Sequence, residues 1–514
     1  MAASSGRPTS AGRGEKRVGA MKRIGRVVGL GLALIVLLIV VRATWLRSSP
    51  AEAPPAETLE VNESRIARQL AAAIRFKTIS YQDPARLDTK AFAGIHDFFQ
   101  SSWPAAHATL KRERVSRWSL LYTWPGLNPQ LAPILFAAHQ DVVPVDAGSL
   151  ADWTHPPYGG VIEDGVVWGR GSLDNKANVV VMLDAVDRLV RQGFQPERTV
   201  YLAFGHDEEV GGSKGALAIA RLLEARDVHL EMVLDEGGIV VQGFLAGIDK
   251  PVALVGIAEK GSVGIALDVE SKGGHSSTPP RHTAIGLLAA AVVALESHPM
   301  PVHRGGVSGG LLDGLALELP FYARLVLANR WIFAPVLNVV FSRVPALDAM
   351  FRTTTAVTII NGGVKENVLP IRARAIANFR IHPEDSVDLV VAHVRRVVGP
   401  DVKLEVGVRS EPREPSPVSP IDSNAYRILD RSIRSVYPDA VVVPYLVVGG
   451  TDARHYYRVC DNVYRFSPFR LGSDAMTLVH GTNERLSTKN LVRGVRFYAR
   501  LLQDIAGAAQ PSSE

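Results

Sequence analysis

The chain has 514 residues, of which 47% are hydrophobic and 7% aromatic, a normal globular balance in a chain too long for one ordinary domain. The formal net charge is +6, but seven Lys or Arg and one acid precede Val27, so this segment alone supplies the excess. The near-neutral remainder argues against nucleic acid as a partner. Cys460 is the only cysteine, so any metal must be held by His and carboxylates.

The N-terminal segment has the features of a membrane-targeting sequence. Residues 1–26 form a basic tail, residues 27–46 are largely apolar, and residues 47–60 form a Pro-rich linker. The apolar run is short for a bilayer span of about 20 residues but long for a signal-peptide core. Its positive flank predicts a cytoplasmic N-terminus, with the bulk of the chain on the extracytoplasmic side of the membrane. We expect an uncleaved, single-pass signal anchor, with a secreted protein as the alternative if the segment is cleaved.

Beyond the linker, strand-like apolar runs alternate with helical patterns. Spacing predicts surface helices in residues 63–76 and around Phe92, Ile95 and Phe99. The next predicted strands are 132–138, 200–204 and 232–234, and the next predicted helices are 178–191 and 215–225. This rhythm predicts an α/β fold with a mostly parallel sheet and helices on both faces, whose first part covers residues 61–260.

From residue 261 the order becomes strand, helix, strand, strand, helix, strand. This order predicts an inserted ferredoxin-like α+β lid domain over residues 261–411. Its predicted strands are 263–269, 356–360, 372–381 and 402–408, and its predicted helices are 284–296 and 387–397. The stretch 311–350 within it is apolar. Burial in a core is favoured there over exposure to lipid or to an acyl chain, because large apolar residues are usually inside.

The first domain resumes over residues 412–508. A Pro-rich stretch leads back to a predicted strand at 441–447 and a final helix at 491–505. The apolar residues of that helix fall on one face, and Ser487 is placed to cap it.

Five segments that follow apolar runs carry acids or histidines. His139 stands two residues before Asp141, a spacing that suits zinc because a carboxylate can orient the metal-binding imidazole, although structural loop histidines are equally common. Asp174 ends a Gly-rich turn just ahead of a predicted helix. It is therefore either an N-cap or a carboxylate that bridges two cations about 3.5–4 Å apart.

The cluster that contains Glu208 and Glu209 carries the strongest signal. Consecutive acids in a concave loop repel one another unless cations compensate, so a functional role is favoured, with Glu209 as a ligand and Glu208 as a base towards water. Asp235 and His480 are each ambiguous alone. The five candidate metal ligands are His139, Asp174, Glu209, Asp235 and His480. Two histidines and three carboxylates suit Zn²⁺, while Mn²⁺ or Co²⁺ would be tolerated.

Taken in order, these segments resemble the aminoacylase, carboxypeptidase S and succinyl-diaminopimelate desuccinylase family of co-catalytic zinc hydrolases, over roughly residues 61–505. The resemblance is nearest to the carboxypeptidase S and N-fatty-acyl-amino-acid synthase/hydrolase branches. It implies two Zn²⁺ per subunit. In that arrangement one zinc is held by His139 and Asp235, the other by Glu209 and His480, with Asp174 bridging, Glu208 as general acid/base and Asp141 orienting His139.

The resemblance extends into the inserted domain. His275, in a Gly-Gly-His-Ser segment, matches the lid histidine that stabilises the oxyanion, while a turn histidine is the structural alternative. Asn367 and Arg380 match substrate-contacting positions, and a guanidinium suits a free carboxylate, although a surface salt bridge would also explain Arg380. Gly450 matches a loop beside the substrate.

The expected activity is hydrolysis of an amide bond next to a free carboxylate, in N-acyl amino acids, including N-fatty-acyl ones, or in short peptides. Closure of the inserted domain would assemble the site, and that domain would also supply a homodimer contact. Two alternatives are a biosynthetic deacetylase or desuccinylase, and a catalytically inactive binding protein on the same fold.

Overall fold

The computed structural model describes residues 11–46, 59–244, 247–472 and 475–507. Most of the predicted linker 47–60 and the first ten residues of the basic tail lie outside these ranges. The helices are α1 (Ala11–Trp45), α2 (Glu63–Arg75), α3 (Thr89–Ser102), α4 (Pro104–Thr109), α5 (Lys176–Arg191), α6 (Ala216–Ala225), α7 (Ala284–Ser297), α8 (Gly306–Ala316), α9 (Phe321–Ala328), α10 (Arg330–Phe341), α11 (Pro345–Phe351), α12 (Val387–Val398), α13 (Asn424–Val436), α14 (Ala475–Leu478) and α15 (Thr488–Ala506).

The strands form a large sheet and three smaller ones. Their bounds are β1 (Lys111–Val115), β2 (Ser119–Trp124), β3 (Ile134–His139), β4 (Val161–Glu163), β5 (Val166–Trp168), β6 (Val200–Gly205), β7 (Met232–Asp235), β8 (Val240–Val241), β9 (Val252–Glu259), β10 (Gly261–Glu270), β11 (Gly274–His275), β12 (Thr354–Gly362), β13 (Val368–Leu369), β14 (Arg372–Ile381), β15 (Lys403–Val406), β16 (Val441–Val447), β17 (Val463–Arg465), β18 (Arg470–Leu471) and β19 (Arg485–Ser487).

The large sheet has ten strands in the order β1-β2-β6-β3-β7-β17-β9-β8-β18, with β16 paired to β9. The strands β6, β3, β7 and β17 pair in parallel, but β1, β2 and β6 are antiparallel. The expected mostly parallel sheet is therefore a mixed one. The turn between β1 and β2 is too short for a crossover and places Ser116 and Arg117 at positive φ, so these two strands must run antiparallel.

Helices cover both faces of this sheet, as the alternation of side chains along its strands requires. Phe136 of β3 packs in a core that includes residues of α2, α5, α13 and α15, while Leu135 packs with α6 on the other face. The helix α15 buries Leu491 and further apolar residues along one side. Ser487 occupies its N-cap position but makes no capping hydrogen bond, because this residue ends β19 and pairs with Val166.

The segment from β10 to β15 builds a second, four-stranded sheet in the order β12-β14-β10-β15. Its pairings are antiparallel, and α7 and α12 pack on it around a separate apolar core. The element order is the one that the sequence pattern predicts for a ferredoxin-like arrangement.

The apolar stretch within this segment forms α8 to α11. Helix α8 buries Leu311, Leu312 and Leu315 in a core shared with the edge of the large sheet, which agrees with the expected burial. Helices α9 and α10 meet at a bend of 107° and leave large apolar side chains exposed, so burial is only partial there. Helix α1 packs against α9, and its portion Arg23–Trp45 is long and apolar enough to cross a membrane.

Candidate metal and active site

The carboxyl ends of three neighbouring parallel strands bring the candidate residues together. Strand β3 ends at His139, the turn that carries Glu208 and Glu209 follows β6, and β7 ends at Asp235. Because parallel strands end at the same edge of a sheet, these side chains meet in one crevice.

Asp174 lies between two histidines. Its Oδ1 is 2.9 Å from His139 Nε2, and its Oδ2 is 3.1 Å from His480 Nε2. Helix α5 begins only at Lys176, after Asn175 at its N-cap position, so Asp174 does not cap it. A carboxylate whose two oxygens face two separate imidazoles has the geometry of a bridge between two cations.

Each histidine also faces a second carboxylate. His139 Nε2 lies 2.9 Å from Glu236 Oε1, and His480 Nε2 lies 3.1 Å from Glu209 Oε2. The donor atoms of His139, Asp174 and Glu236 form one close group and those of Asp174, Glu209 and His480 a second one. A third close group joins Glu208 and Glu209 to His139.

Asp235 is brought to this crevice but not into those groups. Its side chain is buried, and its Oδ2 has no hydrogen-bond partner among the described residues. Glu236, which the sequence argument did not single out, takes the place beside His139 and accepts a hydrogen bond from the Asn175 side chain. The adjacent acids of the Asp-Glu-Gly-Gly segment are the signal that could have shown two candidates at this strand end.

Asp141 organises both His139 and the acidic turn. Its carbonyl oxygen lies 3.0 Å from His139 Nδ1, which leaves Nε2 facing Asp174. Its fully buried carboxylate accepts hydrogen bonds from the backbone N–H groups of Glu208 and Glu209 and from the Ser80 hydroxyl. Asp141 is thus placed as the orienting residue that metal-ligating histidines usually have.

A buried ion pair joins the turn of Asp174 to the turn of His480. Arg170 Nη1 lies 2.5 Å from Glu484 Oε2, and Arg170 Nη2 donates to the His480 carbonyl at 2.9 Å. Glu484 Oε1 accepts the backbone N–H groups of Gly171, Leu173 and Asp174. Neither residue was identified from the sequence, because charged residues at turns usually lie in solvent.

The buried carboxyl groups of the crevice are crowded together, so a bound positive charge would stabilise their ionised forms. Burial raises the pKa of Glu208 well above its usual range, and Asp452, Glu236 and Glu209 raise it further. Burial also raises the pKa of Glu236 to about 7. Glu209 Oε1, like Asp235 Oδ2, is buried and has no hydrogen-bond partner within the part of the chain that the structure describes. Crowded acids with unpartnered oxygens beside two imidazoles are a donor set that fits divalent cations such as Zn²⁺.

The segment from β10 to β15 positions His275 and Asn367 close to each other. His275 pairs with Val368 across β11 and β13, and the N–H of Ser276 donates to the Asn367 carbonyl at 3.1 Å. The imidazole of His275 is exposed, and its hydrogen bonds stay within its own turn, to Ser277. The structure therefore does not bring His275 into hydrogen-bond contact with the metal-ligand candidates.

Arg413 is a further cation that the sequence did not reveal. Its guanidinium lies against Gly450, where an added Cβ would stand 2.7 Å from its Nη1 and Nη2. Burial lowers the pKa of Arg413, and the nearby cations Arg454 and Arg380 lower it further, whereas Glu208 raises it. Arg380 itself is exposed on β14. A guanidinium in this position suits a carboxylate ligand.

Comparison with known proteins identifies the family of the chain. The model of peptidase family M20/M25/M40 matches residues 135–504, the segment that holds the candidate ligands. The chain belongs to this family. It is 39% identical over 493 residues to the probable carboxypeptidase S-like 2 of Dictyostelium discoideum, with 94% of each chain covered. It is also 39% identical over 464 residues to the mouse N-fatty-acyl-amino acid synthase/hydrolase, with 89% of this chain and 91% of the relative covered.

Solved structures show the same fold at lower identity. The M20 family metallo-carboxypeptidase of Sulfolobus solfataricus matches with a TM-score of 0.62 and 16% identity, over 86% of this chain and 99% of that one. Human carnosine dipeptidase 1 matches with a TM-score of 0.58 and 17% identity, over 87% and 97%. The family predicted from the sequence motifs is confirmed, and the chain is an enzyme of the metallo-carboxypeptidase type.

Proposed function

We propose that this enzyme hydrolyses an amide bond next to a free carboxylate, in N-acyl amino acids, including N-fatty-acyl ones, or in short peptides. The observation that carries the proposal is the position of Asp174, whose two oxygens face His139 and His480 at 2.9 and 3.1 Å. Each histidine faces one more carboxylate, so two adjacent cation sites share one bridge. Two Zn²⁺ suit this donor set, with Mn²⁺ or Co²⁺ as alternatives.

Two cations bound there would supply Lewis-acid polarisation of the scissile carbonyl and would acidify water. Glu208 takes the proton from water and later gives it to the leaving amine, because its carboxylate lies in the close group with His139 and Glu209. Asp141 keeps His139 in the orientation that leaves Nε2 towards the cations. Asp235 remains the predicted partner of His139, and Glu236 is the alternative that the geometry offers.

Recognition of the substrate carboxylate falls to the arginines between the domains. Arg413 is held by a backbone pairing with Ser262, and it approaches Gly450 more closely than a side chain there would allow. Arg380 lies on β14 opposite Ser262, so the two guanidiniums share this region. A planar fork can hold a carboxylate through two hydrogen bonds. Gly450 keeps the space for this contact open.

The inserted domain acts as a lid in this proposal. His275 and Asn367 lie on this domain, and His275 makes no hydrogen bond to the candidate metal ligands. Closure of the domain would bring His275 to the developing oxyanion. The same domain remains the predicted place of a homodimer contact.

The names of the relatives guide the choice of substrate. One is a carboxypeptidase S-like protein and the other an N-fatty-acyl-amino acid synthase/hydrolase, and both align along nearly the whole chain. Both names imply an amide whose amine side is an amino acid. We therefore place an N-fatty-acyl amino acid first and a short peptide second, with α1 anchoring the enzyme so that its catalytic part is extracytoplasmic.

The decisive experiment measures turnover of the purified full chain on an N-fatty-acyl amino acid, on its carboxyl-amidated analogue and on a dipeptide. Chelator should abolish activity and Zn²⁺ should restore it, whereas chelator-insensitive turnover would contradict the two-metal mechanism. Glu208→Gln should retain metal and lose turnover. Glu224→Gln is its control, because Glu224 is half exposed on α6. Equal rates on the free and amidated substrates would refute carboxylate recognition.

A further inference from the structure

The bent pair of helices α9 and α10, here named the apolar hairpin, carries an unusual surface. Eight large apolar side chains in the hairpin or just after it are at least two-fifths exposed. They are Phe321, Tyr322, Trp331, Ile332, Val336, Val339, Val340 and Val344. Isolated exposed apolar residues are ordinary, but so many of them on one pair of helices mark a contact with another apolar phase.

The exposed residues of α10 lie on one face. Ile332, Val336, Val339 and Val340 are spaced by four, three and one residues, so they line a single side of the helix. The opposite side buries Leu337 and Phe341 in the core of the hairpin. The helix is therefore apolar on its outer as well as its inner face, which a helix facing water would not be.

The position of α1 indicates which apolar phase covers the outer face of α10. The side chains of residues 23–38 of α1 are exposed, whereas Ala43 is fully buried against the rest of the protein. The bare portion of 16 residues spans about 24 Å at about 1.5 Å per residue. A bilayer core is about 30 Å thick. The exposed portion of α1 is thus shorter than the bilayer core. If α1 crosses the bilayer, the hydrocarbon must also surround part of α1 where the hairpin packs against it.

A hydrogen bond fixes the depth of the hairpin along α1. The Asn329 side chain, at the bend between α9 and α10, donates to the carbonyl of Ile39 at 2.9 Å. Ile39 lies six residues before Trp45, the last residue of the candidate span, so the bend lies about 9 Å below that end of the span. Trp45 is the kind of residue that marks a membrane interface.

Several cations lie at the same junction. A cavity of about 360 Å³ between α1 and the hairpin is lined by Arg42, Arg304 and Arg330 together with Trp331. Arginine and tryptophan beside an apolar surface are the side chains that settle among lipid headgroups.

We propose that the apolar hairpin is a second membrane contact, which inserts into the same leaflet that α1 leaves and buries its outer face among acyl chains. The proposal goes beyond the hydrolase function and does not rest on it. The hairpin would hold the catalytic part against the bilayer, so the enzyme would not swing freely on a single anchor. It would also keep the inserted domain, from which it projects, next to a lipid phase.

The experiment places a lipid-sensitive fluorophore on the hairpin of the full chain. Bimane is attached to a cysteine at Val336→Cys, and at Val339→Cys as a second site on the same face. Cys460 stays, because it is 1% exposed, and the unsubstituted chain measures its background. Leu127→Cys is the matched control, since Leu127 is 62% exposed but lies between β2 and β3, away from the hairpin in the chain. The proteins are reconstituted into phosphatidylcholine vesicles with or without nitroxide-labelled lipid.

The hairpin labels should lose most of their fluorescence in the nitroxide vesicles and resist aqueous iodide. The Leu127 label should respond to iodide alone. Hairpin labels that iodide quenches as strongly as the control would overturn the proposal. Hairpin labels shielded from both quenchers would also overturn it, because a protein surface, such as a second copy of the chain, would then cover the patch.

Discussion

The ion pair between Arg170 and Glu484 offers the sharpest test of how the site is held together. Glu484→Gln keeps the size of the side chain and changes only its charge and one acceptor. Glu484 Oε1 accepts three backbone N–H groups, so a glutamine carbonyl at that position preserves the turn around Asp174. The amide nitrogen would then face Arg170 in place of Oε2, and two donors would confront each other.

The expected cost follows from burial. Glu484 is fully buried and Arg170 is 3% exposed, so the substitution leaves a guanidinium without a counter-charge and with little water. Breaking a buried pair by removing one partner costs about 3–5 kcal/mol. Burial raises the pKa of Glu484 although Arg170 lowers it, so the intact pair is itself expensive to bury. We therefore expect about 3 kcal/mol of lost stability, at the low end of that range, because three of the hydrogen bonds survive.

Urea unfolding followed by tryptophan fluorescence measures this loss, with chelator present so that metal binding does not contribute. Glu113→Gln is the control, because Glu113 also pairs with an arginine through two hydrogen bonds but at the surface. Exposed pairs of that kind contribute about 0.2–1 kcal/mol. Adding Arg170→Met to Glu484→Gln should recover part of the stability. A loss no larger than that of Glu113→Gln, or no recovery in the double variant, would refute the reasoning.

Three further predictions follow from single residues. Asp174→Asn should lower the number of metal ions bound per chain and abolish turnover, because the bridging side chain loses its charge. Mass spectrometry measures the metal content, and a full complement of metal in the variant would contradict this prediction. Burial lowers the pKa of Lys260 from 10.5 to about 7, so the unfolded chain binds more protons between these values and the penalty for burying Lys260 shrinks as the pH rises. The free energy of unfolding of the unsubstituted protein should therefore rise with pH across this window, relative to that of Lys260→Met, by up to about 1.4 kcal/mol per pH unit. Urea unfolding at a series of pH values measures both slopes, and equal slopes would contradict the lowered pKa of Lys260. Gly212→Ala should destabilise the protein more than Gly243→Ala, because both glycines have positive φ but only at Gly212 would a Cβ collide with Asp452 Oδ1. Equal losses of stability in the two variants would leave no role for that contact.

The sequence determined the family and the broad architecture. Motifs such as the acidic pair Glu208-Glu209 need cations to offset their repulsion, and this local requirement is visible without a structure. The alternation of strands and helices likewise follows from hydrophobic periodicity, which depends only on neighbouring residues. The parallel centre of the sheet was predictable for that reason. Its antiparallel edge was missed because β1 consists almost entirely of charged residues and so gives no apolar run.

The tertiary structure decided which side chains meet. Asp235 and Glu236 are adjacent in sequence, and only the folded chain shows that Glu236 is the one that lies against His139. Glu484 and Arg413 carry no motif, since a charge in a turn or a Pro-rich crossing looks like any solvated residue until its burial is known. The apolar hairpin is a similar case, because composition reports that a segment avoids water but not whether protein or lipid replaces it. Sequence patterns record local chemistry, whereas burial and contact are properties of residues far apart in the chain, and these were fixed only by the fold.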